Sequence, residues 1–425
     1  MNHTKTIAIS ILEFFFILLI AWNFEFLGAI EKTAIVLLSL VITGTTIQRI
    51  NNLEGGYGIV IVKLREKLQF LDSFANKNEK LLNFLADLMI FFGYGLLAYV
   101  FFERNQKRQK NLSLFGSAIF IILFLVFGEL SLFGFALGGF ALLGFSALAI
   151  HSYEILTTKT FPGVMPPIPG VNLPFFEGIA AIAITVMVHE LCHGLYGRLK
   201  KLKLSSTGLV FFGIIPLAGF IEIDEKKLFE QPKKIQNRIL VAGSLANLIV
   251  SIIFILLLFL FSSLLNPITQ KSVFIYDTIE GSPAREANLT NVTIQAVNGT
   301  NITTTQELKT ILTALGANKT VNITTLEKGN VTVKMDKEGK LGIYTRDKLE
   351  FVNVPKLISG WLFFFLSFLS LTLLFNFSAA VLNLLPIFVA DGYRILNLSL
   401  PKKLTLLLGW ISLALIIINL LPWFG

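Results

Sequence analysis

Residues 177–199, EGIAAIAITVMVHELCHGLYGRL, form an apolar run that carries His189, Glu190 and His193 near its far end. About 20 apolar residues are enough to cross the hydrocarbon of a bilayer as a helix, and positions four apart share one helix face. Both imidazoles therefore point the same way. That is the spacing of two zinc ligands, with the intervening glutamate placed to act on a water at the metal. Short motifs of this kind also arise by chance. Chance is the weaker account here, because ionisable groups in a segment suited to lipid are costly and mark function.

The remainder of the chain has the same character. Its 425 residues are 54% hydrophobic and only 15% charged, with a mean hydropathy of +0.72, whereas soluble domains are roughly 45–50% apolar and about 25% charged. The composition is that of a polytopic membrane protein. The net charge of +9 is spread over loops, which suits contact with anionic lipid, and no nucleic-acid-binding signature accompanies it. Cys192 is the only cysteine, so no intrachain disulfide forms. It falls on a different helix face from the histidines and reads as a packing residue. The other histidines are His3 and His151.

Apolar runs at 7–27, 30–48, 82–102, 113–150, 177–199, 238–265, 358–384 and 404–422 predict about nine transmembrane helices, with 113–150 divided into two. The first run has no small-residue cleavage site and reads as a retained span. Residues 1–150 form an N-terminal helical region with a polar loop at 49–81 that contains a strand-like segment, Tyr57 to Lys63. A Pro-rich link follows at 151–176. Residues 177–271 and 347–425 carry the candidate chemistry, and a polar α+β insert at 272–346 separates them. Within 200–235, Gly208, Gly213, Pro216 and Gly219 interrupt a run rich in β-branched and aromatic residues. That run predicts short membrane-associated or re-entrant strands, not a helix.

Two signals give sidedness. The insert holds N-x-S/T sequons at Asn288, Asn291, Asn298, Asn301, Asn318, Asn322 and Asn330, as an extracytoplasmic surface would, although a Thr- and Asn-rich strand region supplies some by composition. The loop at 198–238 is rich in Lys and Arg, which places it inside. The 177–199 helix then runs outside to inside, its histidines near the cytoplasmic end, and the N-terminus lies inside. This count leaves the basic stretch Arg104 to Lys110 outside, against the rule; taking 113–150 as one span moves it inside but moves the 49–81 loop out.

A catalytic zinc has three protein ligands and an open position. The third candidate is Asp391, in NLLPIFVADGY. It follows a span running outside to inside and so arrives at the depth of the histidines. Pro386 ends or kinks that helix and Gly392 permits a turn, which frees the backbone to aim a carboxylate inward. Locally, an ordinary Asp-Gly turn accounts for the same residues. His151 is predicted on the outer side, away from this site.

HELCHG, GIIPLAGF, AGSLAN and the NLLP…DG pairing, in that order, resemble the site-2 protease family of intramembrane metalloproteases over about 175–422. The first 150 residues are similar to the extra N-terminal helices of some archaeal members. GSPAREANL and VNG make the insert similar to a PDZ domain, with a capping box at Thr304 to Glu307 opening its helix. The resemblance implies zinc held by His189, His193 and Asp391, Glu190 as catalytic base, Asn247 as a donor to the oxyanion, and single-span membrane proteins as substrates. Ser244 stands where the family has proline, Phe388 to Ala390 replace a proline-rich run, and Asn288 stands where PDZ domains favour glycine. Asn247 read without the family is equally helix–helix glue. An unwound substrate is expected to pair by β-augmentation with residues 206–222 or with Tyr57 to Val62. Two other classes compete: a non-proteolytic membrane zinc protein such as a transporter or sensor, and an inactive PDZ scaffold. A transporter would line several helices with acidic residues, whereas Glu13, Asp87 and Glu129 are isolated in the sequence; an intact Glu190 argues against the scaffold.

Overall fold

The computed structural model describes residues 3–23, 28–63, 69–158, 162–170, 172–202, 204–352 and 354–423. The chain forms two compact units, one of Met1–Leu257 with Ser367–Gly425, the other of Leu258–Leu366.

The first unit opens with α1 (His3–Asn23) and α2 (Ala29–Asn51), followed by β1 (Glu54–Gly56), β2 (Ile59–Lys63), α3 (Gln69–Lys77) and α4 (Glu79–Tyr94). Then come a 3-10 segment (Gly95–Phe101), α5 (Lys107–Phe127), α6 (Leu130–Thr158) and α7 (Phe175–Leu199), which carries the histidines. A hairpin of β3 (Leu204–Phe212) and β4 (Ile215–Ile223) leads through α8 (Glu225–Phe229) and α9 (Lys233–Leu240) to α10 (Ala242–Leu265). Eight helices among the described residues are long and apolar enough to cross a membrane. Their outward apolar side chains, such as Phe115 at 72% and Leu125 at 74% exposed, suit contact with lipid.

Two of those segments do not carry the chain across. On α4 and α5, Phe84 lies beneath the Arg108 guanidinium, Asp87 accepts from Gln109 Nε2 at 3.2 Å, and Phe91 meets Phe120. Residue numbers rise together on both helices, so α4 and α5 run the same way. The chain between them must return, and it turns at Gly95 (φ 53°, ψ −131°), a conformation that favours glycine. Phe101 packs back on Tyr94 and Lys110 Nζ sits 4.4 Å above the Tyr99 ring. The predicted span at 82–102 is thus a re-entrant hairpin.

α6 follows the same logic. The end of α7 meets the start of α4, where the Tyr196 hydroxyl donates to the Leu82 carbonyl at 2.5 Å and Lys200 pairs with Glu79. α5 leads away from that end, and α7 starts from the opposite one, so residues 128–174 make no net crossing. α6 descends antiparallel to α5, with Phe133 on Phe124 and Phe135 on Phe120. It bends at Gly139 (φ 58°, ψ −153°) and finishes where Asn419 Nδ2 donates to Ser152. The sequence reading of two crossings within 113–150 is corrected to one crossing and one dip. Both errors have one cause: hydropathy counts apolar length and is blind to direction. With both removed, 104–110 lies at the same end as the other basic loops.

Two buried carboxylates of the helical unit have partners. Arg238 of α9 grips Asp87 of α4 through Nε at 2.8 Å and Nη2 at 2.6 Å, with Asn83 accepting from Nη1. Asp87, isolated in the sequence, is thus one half of a bidentate pair at 10% and 9% side-chain exposure. Glu13 accepts from the hydroxyls of Ser39 and Thr43 across the α1–α2 hairpin.

The expected strands form one antiparallel sheet in the order β1-β2-β3-β4. β2 is paired on both sides, to β1 and to β3, so Ile59 to Val62 cannot accept a further strand; β1 and β4 are the two edges among the described strands. β4 lies along α7, with Ile221 filling the space beside Gly194.

The second unit contains β5 (Thr269–Thr278), α11 (Pro283–Glu286), β6 (Val292–Val297), β7 (Thr300–Asn301), α12 (Thr305–Leu315), β8 (Thr320–Thr325), β9 (Gly329–Lys334) and β10 (Ile343–Phe351). Its sheet runs β10-β5-β6-β8-β9, with β7 on β6, around a core that includes Ile275, Leu289, Ile294 and Ile323. Thr304 caps α12 by accepting from the Glu307 N–H, while the Glu307 carboxylate reaches back to the N–H of Thr303. Asn288, Asn291, Asn298 and Asn318 all have φ between 49° and 58°, where Asn is one of the few residues tolerated besides glycine. Turn chemistry is therefore sufficient reason for four of the sequon asparagines. The chain ends with α13 (Lys356–Leu382), α14 (Asp391–Ser399) and α15 (Lys402–Leu420).

The hairpin fixes a labelling pattern. In a Cys192→Ser background, single cysteines at Lys80 and Asn105 should react with a membrane-impermeant maleimide from one side, and those at Glu129 and Met165 from the other. Reaction of position 105 together with position 129 would overturn the re-entrant path.

Candidate metal centre

His189 and His193 project from one face of α7 in the second half of that helix. Asp391 is the first residue of α14, delivered by the break after α13, where the Gly392 N–H donates to the Asn383 carbonyl at 2.7 Å. The three side chains the sequence singled out meet. His189 Nε2 and His193 Nε2 are 3.1 Å apart, and Asp391 Oδ2 lies 3.3 Å and 3.0 Å from them. Among the described residues this is the group of three His, Cys, Asp or Glu side chains able to share one ion.

The donor set tests itself. His193 Nδ1 is 2.8 Å from the Ile239 carbonyl, which only accepts, so Nδ1 carries the proton and Nε2 presents its lone pair. A second imidazole nitrogen and a carboxylate oxygen face that lone pair. With His189 Nε2 also unprotonated, three acceptors so close repel one another unless a cation joins them. A tetrahedral zinc with bonds of about 2.0–2.1 Å has donor-to-donor edges of about 3.3 Å. The observed separations of 3.0–3.3 Å fit it.

The groups behind the donors are equally specific. Asn247 of α10 is wholly buried, with its amide 3.1 Å from His189 Nδ1. Gly243 allows that approach, since a Cβ there would come 2.4 Å from the His189 ring. The amide expected to donate to an oxyanion lies behind His189, away from the cleft. With Nδ2 toward the ring, Asn247 Oδ1 has no partner. Turning the amide, whose two ends are isosteric, lets Oδ1 accept from an Nδ1 proton and directs Nε2 as a ligand.

Glu190 shares a cavity of about 690 Å³ with His189, His193 and Asp391, and Ile221 and Ile223 from β4 and Asn383 also line it. Asn383 went unnoticed in the sequence as a site residue, although its place in NLLP, eight residues before Asp391, was the available signal. Cys192 packs against the apolar core and is outside the donor group. His151 pairs with Glu154 at 3.0 Å, at the opposite end of the unit.

Comparison with known proteins gives the same account. The model of Peptidase family M50 matches residues 177–405, more than half of the chain. An uncharacterized protein of Methanocaldococcus jannaschii is 31% identical over 239 residues, covering 55% of this chain. The chain spans 59% of that relative's length.

The geometry predicts that the purified protein binds one zinc and that Asp391→Asn or His193→Ala abolishes it, read as metal per chain by elemental analysis. His151→Ala should leave the metal content unchanged.

Proposed function

We propose that this chain, which belongs to peptidase family M50, is a multi-pass membrane zinc endopeptidase that cuts peptide bonds within or near transmembrane helices of membrane-protein substrates. The observation that carries this reading is the convergence of two Nε2 atoms and one carboxylate oxygen in the cavity that Glu190 lines. Zinc held by His189, His193 and Asp391 would supply Lewis acidity toward the scissile carbonyl and lower the pKa of a water. Glu190 takes a proton from the attacking water and returns it to the leaving amine. Asn383, in the cavity wall, donates through Nδ2 to the Ala379 carbonyl at 3.0 Å and keeps a second amide proton for a developing oxyanion. Asn247 acts at one remove, holding the His189 ring in the tautomer that leaves Nε2 free.

A transmembrane helix hides its scissile carbonyls in its own hydrogen bonds and must unwind to be cut. The unpaired edge of β4 offers those bonds an alternative, and the strand ends at Ile221 and Ile223, in the wall of the cavity with Glu190. The basic end, with loops 49–81, 104–110 and 198–238, is cytoplasmic in this reading. The insert is a PDZ-like extracytoplasmic domain that gates substrates by size.

Purified protein with zinc and a single-span substrate helix tests the reading. The wild type should cut; Glu190→Gln should retain zinc and not cut. Equal cleavage by both would refute it. Asn247→Ala should weaken zinc affinity by about 10–100-fold and recover most activity at saturating zinc. A loss of about 10²–10³ in kcat that zinc does not restore is what an oxyanion donor would show instead.

A further inference from the structure

A second cavity, of about 1010 Å³, opens at the end of the first unit where α4, α5 and α9 begin. Lys80, Lys107, Arg108, Lys234 and Arg238 line it, against the carboxylates of Asp87 and Glu103. Arg238 and Asp87 neutralise each other in the pair already described. The other four cations form no ion pair among the described residues, and one carboxylate faces them. The three helices whose starts face this space follow Asn78, Gln106 and Pro232, none of which caps its helix through a side chain. Their dipoles add to the positive potential, offset at α4 by Glu79 in its first turn.

This chamber has an apolar extension. A groove of about 270 Å³ shares Phe84, Asp87, Arg108 and Gln109 with it and continues along α5 past Leu112 to Phe115, a residue that is 72% exposed. A cationic chamber at the polar end of apolar helices, opening onto a groove up a lipid-facing helix, matches an amphiphile with an anionic head. A free phosphate would fill the chamber and leave the groove without purpose.

We propose that the chamber and groove bind one anionic glycerophospholipid, its phosphate among Lys107, Arg108 and Lys234 and one hydrocarbon chain along α5. The site is distinct from the cavity around Glu190. It adjoins that cavity through the backbone: Arg238 forms part of the chamber wall, and the carbonyl of Ile239, the next residue, holds His193 Nδ1 at 2.8 Å.

The test uses the full chain in detergent, with phosphatidylglycerol and phosphatidylcholine compared by native mass spectrometry and by titration in nanodiscs. One phosphatidylglycerol should be retained in preference to phosphatidylcholine. Each cation near an anionic headgroup contributes a factor of about five, so Lys107→Gln/Arg108→Gln/Lys234→Gln should lose on the order of a hundredfold in affinity. Lys201→Gln/Lys402→Gln/Lys403→Gln, with the same charge removed elsewhere, should lose little. Asn111→Trp, which fills the groove and keeps every cation, should also lose the lipid, and it serves alone if the triple variant does not fold. Equal retention of both lipids, equal loss in both triple variants, or full binding by Asn111→Trp would overturn the proposal. So would displacement by millimolar glycerol phosphate, which would mark a site for free phosphate.

Discussion

Hydrocarbon offers no partner to a backbone N–H or carbonyl, or to a charge. A protein that needs an irregular backbone and a carboxylate at membrane depth must wall both off with other segments of itself. The first unit is arranged to do so. Asp391 sits after a break in which the helical hydrogen bonds of α13 end, and the freed groups are taken up locally, as when Asn383 accepts from Gly392 and Leu384 accepts from the buried Tyr94 hydroxyl. Tyr94 is the last residue of α4, so the re-entrant hairpin serves as a plug against the break. The bend of α6 closes the same region, since a Cβ on Gly139 would strike the backbone of residues 92–94.

The centre itself depends on groups one step removed from it. Two imidazoles are aimed by what their far nitrogens meet, a carbonyl at residue 239 and a carboxamide at 247. Both belong to the α9–α10 segment, which lies close to α7 because Gly243 has no side chain. The stretch AGSLAN thus combines a close approach and a polar partner for His189, which is a physical reason for its composition independent of any resemblance.

What was legible in the sequence followed from local rules. The spacing of His189 and His193 fixes a shared face, Pro386 and Gly392 free the backbone around Asp391, and the glycines and proline of 208–219 exclude a helix; each of these rests on a few neighbouring residues. The two dips were not legible, because turning at Gly95 or Gly139 is decided by contacts made with α5, α13 and α15. Asn247 shows the same limit in miniature. Its position on α10 is plain from the sequence, but whether its amide faces a substrate or the back of a ligand is set by which way α10 packs.

The Asp87–Arg238 pair has a consequence for how the chain is made. Its two members are 151 residues apart. While synthesis is still short of residue 238, the hairpin of α4 holds a carboxylate whose guanidinium partner has not yet emerged. Until then Gln109, 22 residues after Asp87, is the partner the chain has already supplied. The completed pair ties the hairpin to the segment that follows the metal-binding helix.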